Sequence, residues 1–127
     1  MRPSTIAIVI ASASVALTAC SHPPPAMPTH AFTSEGVTLK LDPPAAPDCK
    51  PTTHYSAELT WTVGSKDTPK TDVRIGSPTG ALFARSNDNK ARAETGDWVT
   101  PGMWFLLLDR QNGQLLGALQ AGPKPCP

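Results

Sequence analysis

The residues best suited to chemistry in this chain are three cysteines, Cys20, Cys49 and Cys126, and three histidines, His22, His30 and His54. Thiolates and imidazoles are common nucleophiles, general bases and metal ligands. Their spacing speaks against all of these roles. No CxxC pair or Cys/His cluster supplies the short ligand spacing of a zinc site. No serine sits in a nucleophile elbow. His22 and His30 lie in a proline-rich stretch without further ligands, and His54 stands between Thr53 and Tyr55 at a strand entry, where a surface histidine is ordinary. Asp97 and Asp109 occupy positions where turns want aspartate, and the glycines at 76, 80, 96, 102, 113, 117 and 122 fall at strand ends. Turn chemistry explains those glycines without a phosphate cradle. The expectation is a protein that is not an enzyme, with no catalytic residue, metal or cofactor.

Cys20 is different. It closes Leu17-Thr18-Ala19-Cys20, at the end of an apolar run from Ile6 preceded by Arg2. This arrangement resembles a bacterial lipoprotein signal. The resemblance implies cleavage before Cys20, a diacylglycerol on its thiol and acylation of its new amino group. A spanning helix is the poorer reading, because the run is shorter than the roughly 20 apolar residues needed and Ser12 and Ser14 interrupt it. Leu17 at −3 also suits a lipobox better than an ordinary secretory site. The implied organisation is a signal peptide over 1–19, a lipidated Cys20 with a Pro-rich tether over 20–34, and one domain over 35–127. Ser21 follows Cys20 where inner-membrane retention favours aspartate, so the resemblance implies an outer-membrane lipoprotein on the periplasmic face.

Without the signal, 108 residues remain, enough for a single domain. Losing Arg2 from 11 basic residues balances them against the 10 acidic ones. A neutral chain with interspersed charge argues against nucleic acid and against a polybasic membrane patch. Attachment then rests on lipid, and three acyl chains exceed the two signals that stable anchoring takes. Among 15 prolines, several fall in Ser21–Ser34, which lacks periodicity and reads as an extended tether. In polyproline II geometry such a segment would lift a domain up to roughly 40 Å from the bilayer.

From Glu35 onward the hydrophobic period is two. Val37, Leu39 and Leu41 mark one strand. Tyr55, Ala57, Leu59, Trp61 and Val63 mark the cleanest half-buried one. Further strands are expected at Asp72–Ser77, Leu82–Arg85, near Ala93–Thr95, at Met103–Arg110 and at Gln114–Ala121, the last two joined through Asn112-Gly113 as a hairpin. About seven short strands separated by Gly, Pro and Asn turns predict an all-β, immunoglobulin-like antiparallel β-sandwich.

With Cys20 assigned to lipid, Cys49 and Cys126 remain as one pair. In an up-and-down ordering of the strands they fall at the same end of the sandwich, and an oxidising envelope permits the bond. Closing a 78-residue loop stabilises a domain by about 4 kcal/mol in the chain-entropy view.

Val73-Arg74-Ile75-Gly76-Ser77-Pro78, Gly80-Ala81-Leu82-Phe83-Ala84, Thr95-Gly96-Asp97-Trp98-Val99 and Gly102-Met103 with Phe105 and Leu107-Leu108-Asp109 carry a second likeness. They resemble a bacterial Ig-like accessory module, over roughly Val37 to Ala121. That likeness implies the same fold and a non-catalytic role. It assigns Phe105 and Leu107 to the core, which turns Trp104, Leu106 and Leu108 outward as a candidate binding face, unless a loop, the tether or residues 43–47 cover it. Trp61 is expected in the core and Trp98 at the sandwich end.

Three function classes follow. The first is a lipid-anchored protein-binding or scaffold module whose partner is an envelope protein. The second is an inhibitor or immunity lipoprotein acting on a cell-wall lytic enzyme through Ser86-Asn87-Asp88-Asn89-Lys90. The third is a carbohydrate-binding module taking cell-wall glycan on Trp98 and Trp104.

Overall fold

The computed structural model describes residues 23–64 and 70–122. The described residues form eight strands and no helix: β1 (Phe32–Thr33), β2 (Val37–Asp42), β3 (Glu58–Val63), β4 (Thr71–Ile75), β5 (Ala81–Ser86), β6 (Lys90–Glu94), β7 (Trp104–Asp109) and β8 (Leu115–Gln120). Five of them make a sheet in the order β1-β8-β7-β4-β5, and three make a second, β2-β3-β6. Every pairing is antiparallel. The order β8-β7-β4-β5 against β2-β3-β6 is that of an immunoglobulin sandwich, G-F-C-C′ facing A-B-E. The chain is therefore not a plain meander. It makes hairpins at β4–β5 and β7–β8 but crosses between sheets after β1, β3, β5 and β6.

Alternation explains the elements. In β3, Leu59, Trp61 and Val63 are buried while Glu58, Thr60 and Thr62 are half-buried. These residues meet Val73, Phe105 and Leu107 of the facing sheet in the main core. Each large apolar side chain buried there contributes about 1.5–3 kcal/mol. β7 departs from alternation, since Phe105, Leu106, Leu107 and Leu108 are all buried. A continuous apolar run is the mark of a strand covered on both faces.

Three local expectations are corrected. The strand expected from Tyr55 begins at Glu58, and Tyr55 instead makes an isolated bridge with Val99. The strand expected near Ala93–Thr95 spans Lys90–Glu94, so most of the polar stretch before it is sheet. The β7–β8 turn is wider than a two-residue Asn-Gly hairpin. Asp109 N–H donates to Gln114 O at 2.8 Å and Gly113 N–H to Asp109 O at 2.7 Å. Arg110 N–H donates to Lys70 O at 2.8 Å, extending the β4–β7 ladder by one residue. Gly113 still supplies a positive φ of 72°, which glycine adopts freely.

Candidate functional site

Trp104, Leu106 and Leu108 do face outward from the five-stranded sheet, but they are not an open surface. Leu106 is 0 % exposed and Leu108 6 %, and Trp104 is half-buried. With Ala118 and Leu115 they form a second apolar cluster, separate from the main core.

The cover is the segment expected to be a free tether. Pro23, Pro24 and Pro25 border a cavity of about 190 Å³ together with Asp72 and Arg74 of β4 and Leu108 of β7. Further on, Phe32 and Thr33 pair with Ala118 and Gly117 at the edge of β8. Since β7 and β8 lie between these two anchor points, residues 23–31 cross the outer face as a strap. Gly117 permits the close approach of β1, because a Cβ there would lie 3.3 Å from Phe32 O. Leu106 and Leu108 are thus covered within the chain and Trp104 is half-buried, so the row is not an exposed apolar surface.

Beside the strap lies a charged cluster that the sequence did not announce. Asp72 is buried and accepts from Arg85 Nε at 2.9 Å and Nη2 at 3.2 Å. Arg110 Nε stands 3.7 Å from the same carboxylate. The Asp72 carboxylate, hydrogen-bonded to it, holds the Arg85 guanidinium above its ordinary pKa. Register explains the pairing, since Asp72 lies opposite Arg85 on β5 and Leu108 on β7. The bidentate Arg85 pair engages both oxygens of this buried carboxylate and ties β4 to β5.

The remaining candidates separate rather than converge. Trp61 is buried as expected and donates its Nε1–H to Thr71 Oγ1 at 3.0 Å. Trp98 is 37 % exposed and packs edge-on to Phe83 at 5.4 Å and stacked on Phe105 at 6.3 Å. Phe105 points into the sandwich and Trp104 away from it, so Trp98 and Trp104 lie on opposite sides of the sheet. They do not share a glycan-stacking platform. Asp97 accepts from Ser56 Oγ in a long-range contact, and Asp109 from Gln111 N–H at 2.8 Å within its own turn. Among the described residues no group of His, Cys, Asp or Glu is arranged to hold a metal.

Ser86-Asn87-Asp88-Asn89-Lys90 is a short, largely exposed link between strands. Its ends belong to β5 and β6, and Arg110 Nη2 donates to Ser86 O at 3.0 Å and to Asn87 Oδ1. Val63 N–H donates to Asn89 O at 2.8 Å, which pins the middle to β3.

What the fold does leave open is the side between β5 and β6. Each is the last strand of its sheet, and a groove of about 930 Å³ runs along them. Ala84, Ala91, Ala93 and Trp61 give it an apolar floor, and on its wall the basic Lys40, Arg85, Lys90 and Arg92 outnumber the acidic Glu58 and Asp88. A signal for it was present in Lys90-Ala91-Arg92-Ala93-Glu94, which alternates small and charged residues as an edge strand does.

Cys49 is half-buried and is not a free thiol. It follows Asp48, whose Oδ1 accepts from Thr53 Oγ1 at 2.7 Å and Lys50 N–H at 3.0 Å. The expected signal peptide over 1–19, Cys20 and Cys126 lie outside the described residues. The nearest described part of the C-terminal segment is Gly122, which forms a parallel bridge with Ala45. No protein family, curated protein or solved structure matches this chain.

Proposed function

We propose that this chain is a lipid-anchored, non-enzymatic envelope protein whose immunoglobulin-like domain binds another protein. The observation that carries the binding half is the groove between β5 and β6. There, two edge strands offer backbone to a partner, a small-residue floor offers apolar contact, and a basic wall offers charge. Edge strands of this kind are standard sites of strand addition.

The anchoring half rests on Leu17-Thr18-Ala19-Cys20, with Ser21 favouring the outer membrane. The strap changes how the domain sits. Only Ser21 and His22 separate Cys20 from Pro23, which already packs on β4 and β7. The domain is thus held close to the bilayer instead of standing off by the length of a tether. The Cys49–Cys126 bridge belongs to the same proposal. Ala45 and Gly122 run in parallel register, and the two cysteines lie four residues beyond each of them.

Photo-crosslinking in cells tests both halves. A photoreactive residue at position 92 is expected to trap a defined envelope protein, and one at Gln111 to trap none. The wild-type chain is expected in the outer-membrane fraction, with Cys20→Ala released. Equal trapping at both positions would remove the groove, and membrane retention of Cys20→Ala would remove the lipid.

A further inference from the structure

We infer that the groove takes an extended acidic peptide segment of the partner, added as a fourth strand beside β6. This deepens the protein-binding reading above and rests on it. The three-stranded sheet ends at β6, where immunoglobulin constant-type domains carry one more strand, D, next to E. The reason lies in the chain. The link from β5 to β6 is only Asn87-Asp88-Asn89, too short to contain a strand of its own. The outer edge of β6 consequently meets no neighbouring strand among the described residues.

The side chains of β6 state what would fit there. Ala91 and Ala93 turn toward the core, where they are only partly buried, and they line the groove with Ala84 and Trp61. Small residues at an edge leave room for apolar side chains of an incoming strand. Lys90, Arg92 and Glu94 turn outward and exposed. Register places Lys90 beside Thr62, Arg92 beside Thr60 and, one strand further, Lys40. These cations form no ion pair among the described residues, where Asp72 is the acid of both ion pairs. Glu94 lies opposite Glu58, itself opposite Asp42, so the basic stretch ends in an acidic rung.

An antiparallel partner strand therefore reads basic, apolar, acidic, apolar, acidic from its N-terminus, against Glu94, Ala93, Arg92, Ala91 and Lys90. Charges on an edge strand also discourage indiscriminate pairing. Here the same charges select a complementary sequence, which is how specificity by attraction and repulsion works together. Main-chain hydrogen bonds supply affinity, and alternate side chains supply the choice.

The probe is a capped peptide of core sequence Lys-Val-Glu-Val-Glu, titrated against the full mature chain in detergent micelles and read by fluorescence anisotropy. Saturable binding is expected, weakening with salt. The K90E/R92E variant is expected to bind it about tenfold more weakly, as two cross-strand attractions become repulsions. That variant should in turn accept the charge-reversed peptide Glu-Val-Lys-Val-Lys, which wild type should refuse. A third peptide, N-methylated at alternate backbone positions, should not bind. Equal binding of the N-methylated peptide would overturn strand addition, and equal binding of the charge-reversed peptide would overturn the acidic preference. Dimerisation of the wild-type chain through β6, abolished by K90E/R92E, would make a second copy the occupant and also overturn the proposal. Should the peptides fail while crosslinking from position 92 persists, the module reading stands and this occupant falls. Loss of both would remove the two together.

Discussion

The indole N–H of Trp61 donates to the hydroxyl of Thr71 at 3.0 Å, tying β3 to β4 across the middle of the sandwich, with both residues essentially buried. This bond lets the largest core side chain sit in the interior with its one polar atom satisfied. Thr71→Val keeps the shape but leaves a buried donor without an acceptor. It is expected to lower stability by about 1–3 kcal/mol. Thr71→Ser, which keeps the acceptor, should lose less. Urea unfolding of the two variants checks the ordering; a larger loss in Thr71→Ser than in Thr71→Val would show that the methyl and not the hydroxyl matters.

The strap gives a second prediction. Leu106→Ala removes a fully buried side chain from the cluster under residues 23–31 and is expected to cost about 2–5 kcal/mol. Leu82→Ala, at a position 44 % exposed, should change stability by less than about 1 kcal/mol. Deleting residues 21–31 should expose Leu106 and Leu108 and raise binding of a hydrophobic dye. An unchanged dye signal would mean that something other than the strap covers the row.

Tyr55 is buried and its hydroxyl has no hydrogen-bond partner among the described residues. Tyr55→Phe is therefore expected to raise stability by about 1 kcal/mol, since an unsatisfied polar group is removed and the ring is kept. Burial also raises the Tyr55 pKa above 10.0. The folded state resists ionisation, so its stability is full below pH 10 and falls as pH rises through and beyond that value. The Phe variant should lose this part of the alkaline decline. Unfolding measured from pH 8 upward tests both statements.

The cysteine pair gives a fourth. Replacing Cys49 and Cys126 together by alanine is expected to lower stability by about 2–5 kcal/mol without changing the β-type circular dichroism. Asp48 holds the loop that presents Cys49. Its pKa is lowered, first by the Thr53 hydroxyl and then by the Lys50 N–H. That contribution is present above the ordinary value of 3.8 and is lost as pH falls below it. Two titratable thiols in the oxidised, folded chain would rule the bridge out.

Much of the architecture could be read directly. Alternation in Leu39-Lys40-Leu41 and Leu59-Thr60-Trp61-Thr62-Val63 placed two strands and their inward residues, because a period of two leaves one face for the core. The likeness to an Ig-like module sorted Phe105 and Leu107 from Leu106 and Leu108 correctly. Cys20 and the apolar run before it are a local pattern too, and the proposal they carry lies outside the described residues.

The candidate site was another matter, because each part of it depends on segments far apart in sequence. Nothing in Pro23-Pro24-Pro25 says that these residues fold back, since a proline-rich stretch has no period to betray the face it covers. Only the need of Leu106 and Leu108 for an apolar neighbour, met at long range, turned an expected tether into a strap. Asp72 found Arg85 and Arg110 through register between strands, which local alternation does not specify. The groove exists because a three-residue link left β6 without a strand beside it. Local pattern thus determined which residues face inward, by the geometry of a single strand. Strand order, coverage and open edges were decided by tertiary pairing, whose energy comes from contacts that no short window of sequence contains.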